Sequence, residues 1–94
     1  MGLYVLVCND KPNSLELRLA NREAHLAYAR GFTGRLKVAG PLLDEAGNMA
    51  GSLLILEADS LEDARGFNLG DPYQTAGLFA SVQVTAFKAS IGTL

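Results

Sequence analysis

From Leu3 to Cys8 the chain reads LYVLVC, six apolar residues in a row, and then breaks into the turn-prone NDKPN. A short unbroken run of strand formers predicts a strand buried on both faces. The period then changes. Leu15, Leu19 and Leu26 fall on one helical stripe, with Ala24, Ala27 and Tyr28 nearby, which predicts a helix over Leu15–Arg30 with Ser14 as N-cap and Gly31 as the stop. Leu36–Leu43 (LKVAGPLL) starts as a strand-like alternation and is bent or ended by Gly40 and Pro41. The turn cluster Asp44–Asn48 (DEAGN) separates it from a second apolar run, Ser52–Glu57 (SLLILE), so an antiparallel hairpin is expected. Ser60 with Asp63 three residues later resembles a capping box and opens a helix ending near Gly70; DPYQTAG follows as an irregular link. Over Phe79–Lys88, Val82, Val84 and Ala86 alternate with Ser81, Gln83 and Thr85, the pattern of a strand with one wetter face.

The resulting order is β-α-β-β-α-β. This is the split arrangement of α+β, ferredoxin-like domains, in which two helices cover one face of a four-stranded antiparallel sheet. The other face is left bare, yet LYVLVC and SLLILE are apolar at odd and even positions alike. A bare apolar face of that size is uncommon on a soluble monomer, so a homodimer with two sheets face to face is expected, with higher assembly left open. At 94 residues the chain is expected to form one domain, 1–94.

Charge and composition narrow the function. The formal net charge is −2 and the eight Lys and Arg are scattered, so no basic stripe is present to neutralise a phosphate backbone and nucleic acid is not an expected partner. One cysteine, Cys8, and one histidine fall short of a zinc set, and no glycine-rich phosphate loop precedes either helix; no metal and no cofactor are expected. The N-terminal run is too short for a signal segment or a membrane span, which gives a cytoplasmic expectation.

Candidate chemistry centres on that histidine. His25 lies on the first helix with Arg18 and Arg22 at neighbouring spacings, either as part of a solvated polar stripe or as an acid–base group. Asp71, before Pro72, is either a turn former or a carboxylate partner for His25. Both helices lie on one side of the sheet, and a carboxylate beside an imidazole orients the ring and fixes its tautomer. Ser52 is either a strand-start hydroxyl or a hydrogen-bond donor lining a pocket, Tyr73 either a core aromatic or a substrate contact, and Arg22 either a surface ion-pair partner or an attractor of an anionic substrate.

Specific motifs then accumulate along nearly the whole chain: R-x-x-H-L in the first helix, AGP after the second strand, GS opening the third, SLEDA opening the second helix, and DPY followed by AG. Together they resemble the YCII-related proteins, small bacterial domains of the dimeric α+β barrel group. The resemblance implies a ferredoxin-like dimer and an active site around a His and Asp pair, here His25 and Asp71, with Ser52 and Arg22 as pocket neighbours. Some relatives are thought to be small-molecule lyases or dehydrohalogenases. The connection DEAGNMA is short for the family, so one wall of the pocket is expected to differ. Two functions follow as expectations. The first is a cofactor-independent lyase or isomerase acting on a small anionic or phenolic compound, with His25 and Asp71 catalytic and Arg22, Ser52 and Tyr73 holding substrate. The alternative is a non-catalytic dimeric small-molecule-binding or accessory protein in which His25 and Asp71 form a structural bridge.

Overall fold

A computed structural model of residues 1–94 contains strands β1 (Gly2–Asp10), β2 (Leu36–Leu43), β3 (Met49–Ala58) and β4 (Phe79–Phe87), and helices α1 (Leu15–Arg30), α2 (Leu61–Gly70) and the one-turn α3 (Pro72–Thr75). The strands form one antiparallel sheet in the order β2-β3-β1-β4, the ferredoxin-like arrangement that the element order predicts. The central pairing sets Leu6 opposite Leu54 and Cys8 opposite Ser52, which fixes what each face carries. Leu6, Cys8, Ser52, Leu54, Leu56 and Ala58 point to the helical side and are buried. Their neighbours Val5, Val7, Leu53 and Ile55 point to the other side and are half-buried. The run Leu3–Cys8 is therefore buried on one face only within this chain, and the second apolar face is open.

The helical side is closed by aromatic packing. Tyr28 of α1 and Phe32 just beyond it meet Phe67 of α2 at ring-centroid distances of 5.2 and 4.7 Å, and each other at 5.1 Å. Tyr28 also donates its hydroxyl to the Phe67 carbonyl at 2.7 Å, which ties the two helices together over the sheet. Gly70, at the end of α2, leaves room for that tyrosine, since a Cβ there would lie 2.6 Å from the Tyr28 hydroxyl.

Several local expectations change. The stripe of Leu15, Leu19 and Leu26 is not the buried face of α1: Leu19 is 53% exposed, whereas Arg18 and His25 are buried. The reason is that Arg18 and His25 have polar partners waiting on the inner side, Asp10, Ser52 and Asp71, whereas of the leucines Leu19 faces outward and Leu26 only reaches the edge of the same cavity. Ser14 precedes the helix without capping it, its hydroxyl donating instead to the Pro12 carbonyl. The helix does end at Gly31, but in a right-handed conformation; the left-handed turn residue is Gly34, at φ 92°. Ser60 accepts from the Asp63 amide as a cap should, while Asp63 reaches back one residue further than a capping box requires, to the Asp59 amide. DPYQTAG is not irregular throughout, because Asp71 caps the short helix α3 by accepting from the Tyr73 amide at 2.9 Å. The DEAGN hairpin is as expected, with the Asp44 carboxylate accepting from the Ala46 and Asn48 amides. No helix is long and apolar enough to cross a membrane.

Gly51 is the tightest point of the sheet. A Cβ there would stand 2.5 Å from the Cys8 carbonyl oxygen, a backbone atom that has nowhere to move. Gly51→Ala is expected to destabilise the protein by about 2–4 kcal/mol through forced separation of β1 and β3. Urea denaturation checks this, and an unchanged midpoint would mean the strands are not held at this spacing.

Candidate active site

Four polar side chains of the buried face converge at one end of the sheet. Asp10 ends β1 on the helical side, where the register against β4 shifts between Asn9 and Asp10, the kind of irregularity that re-aims a strand end. Arg18 reaches it from α1 with two parallel bonds, Nε to Oδ2 at 2.7 Å and Nη2 to Oδ1 at 2.9 Å. The same Nη2 donates to Ser52 Oγ at 2.8 Å, and the Arg18 guanidinium lies over the Tyr73 ring, 4.6 Å from its centroid. Burial works against the Arg18 charge, but the hydrogen bond and charge of Asp10 outweigh it and hold the guanidinium above its ordinary pKa.

Two turns further along α1 is His25, 8% exposed. Its Nδ1 lies 2.8 Å from Asp71 Oδ1, the oxygen that also caps α3, so one carboxylate both starts a helix and fixes a ring. With Asp71 as acceptor, Nδ1 carries the proton, and the lone pair of Nε2 is the free one; that nitrogen has no partner within the chain. The imidazole stacks on Tyr73 at 4.1 Å with 13° between planes. Tyr73 is thus touched by both buried residues of α1, Arg18 and His25, two turns apart. Burial raises the pKa of its phenol against the pull of Arg18 and Arg22, which keeps it a neutral group at neutral pH.

These residues form one wall of a cavity of about 150 Å³. Arg22, His25, Ser52 and Tyr73 line it together with Arg18, and the remaining surface is apolar, with Leu26, Met49 and Leu54 prominent. The structure therefore brings His25, Asp71, Ser52, Tyr73 and Arg22 into one place. Asp71 stands behind His25 rather than on the cavity wall. Arg22 is exposed and makes no ion pair within the chain, leaving its charge available to a ligand. Ser52 is not at the start of a strand, since β3 begins at Met49. Arg18 and Asp10 are the members that sequence reasoning missed. The spacing of Arg18, Arg22 and His25 was a usable signal, but only burial shows that its first member is a buttress. No three His, Cys, Asp or Glu side chains come together as a metal-ligating group.

Cys8, facing Ser52 across the strand pair, is buried among these charges. Desolvation first, then the nearby Asp71, pushes its thiol up to about 12, so it is not a nucleophile at neutral pH. Folding thereby favours the neutral thiol. Its contribution is whole below the unfolded value of 9.0 and is lost as pH rises toward about 12. Unfolding curves collected between pH 8 and 11 are expected to show falling stability in the wild type and a shallower fall in Cys8→Ala. For the Arg18 pair the expectation is larger: Arg18→Met leaves Asp10 buried and unpaired and costs about 3–5 kcal/mol, whereas Arg18→Met with Asp10→Leu recovers most of it. Equal losses in the single and double variants would show that the pair is not coupled.

Comparison with known proteins bears on the family and the fold. The YCII-related domain matches residues 2–88. Protein YciI of Escherichia coli O6:H1 is 43% identical over 94 residues, covering 92% of this chain and 96% of that protein, and a Haemophilus influenzae protein is 42% identical, covering 90% and 95%. Among solved structures, 5-chloro-2-hydroxyhydroquinone dehydrochlorinase from Burkholderia phenoliruptrix AC1100, in complex with 2,5-dihydroxybenzoquinone, superposes with a TM-score of 0.85 at 37% identity, covering 92% of this chain and 93% of that one. An antibiotic biosynthesis monooxygenase at 10% identity and a TM-score of 0.59 shares the fold alone. The chain belongs to the YCII-related family.

Proposed function

We propose that the protein is a cofactor-independent acid–base enzyme of lyase type that eliminates a leaving group from a small hydroxylated ring. The observation that carries this reading is the His25–Asp71 pair: a carboxylate fixes Nδ1–H at 2.8 Å and leaves the Nε2 lone pair without a protein partner, on a residue that lines the cavity. A base so held is prepared to take a proton from carbon or oxygen. Arg22 supplies the unpaired positive charge that draws an anionic or phenolic substrate, and Ser52 and Tyr73 position it. The cavity accommodates a single ring, with apolar surface for its face and polar groups for its substituents. The similarity to a dehydrochlorinase of a chlorinated hydroxyhydroquinone supports the reaction class.

The test is chloride release from 5-chloro-2-hydroxyhydroquinone. His25→Gln is expected to lower kcat by about 10²–10⁴-fold and Asp71→Asn by a comparable factor, because both lose the oriented base. The burial of the pair also fits the bridge reading, in which His25 and Asp71 only join α1 to α3. That reading expects no chloride release by the wild type and a Tm lowered by several degrees in His25→Gln through an unpaired buried group. Turnover that survives His25→Gln would sink the enzyme assignment at this site.

We also propose that two copies pack their open sheet faces together. Leu3, Val5, Val7, Leu53 and Ile55 are half-buried on that face, with Val38 and Phe87 exposed at 43% and 42% toward its edges. Sedimentation velocity at micromolar concentration is expected to give a dimer, and Val5→Asp with Ile55→Asp is expected to give a monomer. A wild type that sediments as a monomer would refute the assembly.

A further inference from the structure

Strand alternation assigns Met49 to the open face of the sheet, and a bulge returns it to the cavity. In β3, Ser52, Leu54 and Leu56 point to the helical side, so the alternate positions Gly51 and Met49 belong to the other one. The pairing with β2 breaks that count. Gly51 stands opposite Leu42, but the next pair is Leu43 with Met49, so Ala50 is an extra residue on β3. Such a bulge re-aims the strand end, and the Met49 side chain reaches the cavity beside Ser52 and Leu54. The hairpin fixes this position from behind. The Asp44 amide donates to the Asn48 carbonyl at 2.9 Å, and the Asp44 carboxylate accepts from the Ala46 and Asn48 amides.

Met49 also stands between two spaces. It is the one residue that lines both the His25 cavity of about 150 Å³ and a second hollow of about 320 Å³ between the β1–α1 turn and the hairpin. The Arg18–Asp10 pair completes the partition, with the arginine on the cavity side and Asp10 lining the hollow. That pair is held by two short bonds, whereas a methionine side chain turns about three bonds and keeps no hydrogen bond. The hollow is polar, with Lys11, Asp44 and Asn48 beside Asp10, and its formal charges balance once Arg18 is set against Asp10. We infer that Met49 is the specificity-determining residue for substrate length: it confines the ligand to one ring and shuts off a hollow suited to an uncharged polar arm. This rests on the acid–base reading and narrows the substrate class within it to a hydroxylated single ring with no arm on the edge that faces Met49. A side chain cut back to the β-carbon joins the two spaces, and His25 then faces a ring whose arm lies in the hollow.

The experiment measures binding by anaerobic calorimetry, with hydroxyhydroquinone as the plain ring and with the isomers that carry a 2-hydroxyethyl arm on one of its open ring carbons. The readout is the ratio of affinities, arm-bearing over plain, so a general loosening of the site cancels. In the wild type and in Met49→Leu, which keeps the bulk, every arm-bearing isomer is expected to bind at least about tenfold more weakly than the plain ring, the scale of discrimination by an apolar wall. In Met49→Ala at least one isomer is expected to recover most of that loss. Adding Asn48→Phe, which fills the hollow, is expected to abolish the recovery. A ratio that Met49→Ala leaves unchanged would overturn the inference, as would a wild type that binds arm-bearing and plain rings alike. So would a recovery that Asn48→Phe does not touch, since the arm would then lie elsewhere, or no binding of any of these rings by the wild type and Met49→Ala. The acid–base reading is judged separately, by chloride release in His25→Gln, because the affinity ratio involves no turnover.

Discussion

Burying an arginine beneath a helix is unfavourable unless its charge and its donors are answered, and in this protein the two-bond pairing of Arg18 with Asp10 answers them. The consequence is a helix that turns its polar stripe inward. With Arg18 anchored at the end of β1, the same face of α1 must bring Arg22 and His25 over the sheet, since they stand one and two turns further along. Tyr28, next on that stripe, then meets Phe67 and locks the far end to α2. The ion pair and the aromatic contact fix the rotation of the helix between them, and the rotation places the imidazole.

Asp71 does the same service from the other side of the site. Its backbone ends α2, its carboxylate starts α3 and its Oδ1 holds His25. A loop carboxylate alone would be mobile. Here the Tyr73 amide holds that oxygen in the direction the imidazole needs, and Pro72 at the first helical position sets the turn. Because Tyr73 is the residue that donates this amide and also the residue on which the imidazole stacks, position and orientation of His25 come from one short segment.

The elements were legible because strands and helices are written in local periodicity. LYVLVC, SLLILE and the alternation from Phe79 onward each marked a strand, and the DEAGN turn marked the hairpin that joins β2 to β3. The sheet order followed from the element order. What periodicity misjudged was the rotation of α1, since a count of leucines presumes that the apolar stripe is the buried one. Arg18 and Asp10 stand eight residues apart across a turn, and nothing local says that they meet. The site was legible in part for a related reason. His25 and Asp71 are 46 residues apart in the chain, and their pairing was expected because both helices share a side of the sheet and because the family resemblance implies it, whereas α3, which caps on Asp71, was hidden inside a segment short enough to resemble a plain link.

The two faces of the sheet are coupled through the same strands. In β3, Ser52 and Leu54 point into the cavity while Leu53 and Ile55 point to the open face, so each cavity residue has neighbours one step away on the other side. Strand position on the helical side is fixed by Arg18 holding both β1 through Asp10 and β3 through Ser52. The open face is made of the alternate residues of these same two strands. Held in this way on the helical side, the sheet keeps Ser52 at a set distance from α1, and the geometry of a hydroxyl toward a ligand is sensitive to displacements well below the spacing of one strand from the next.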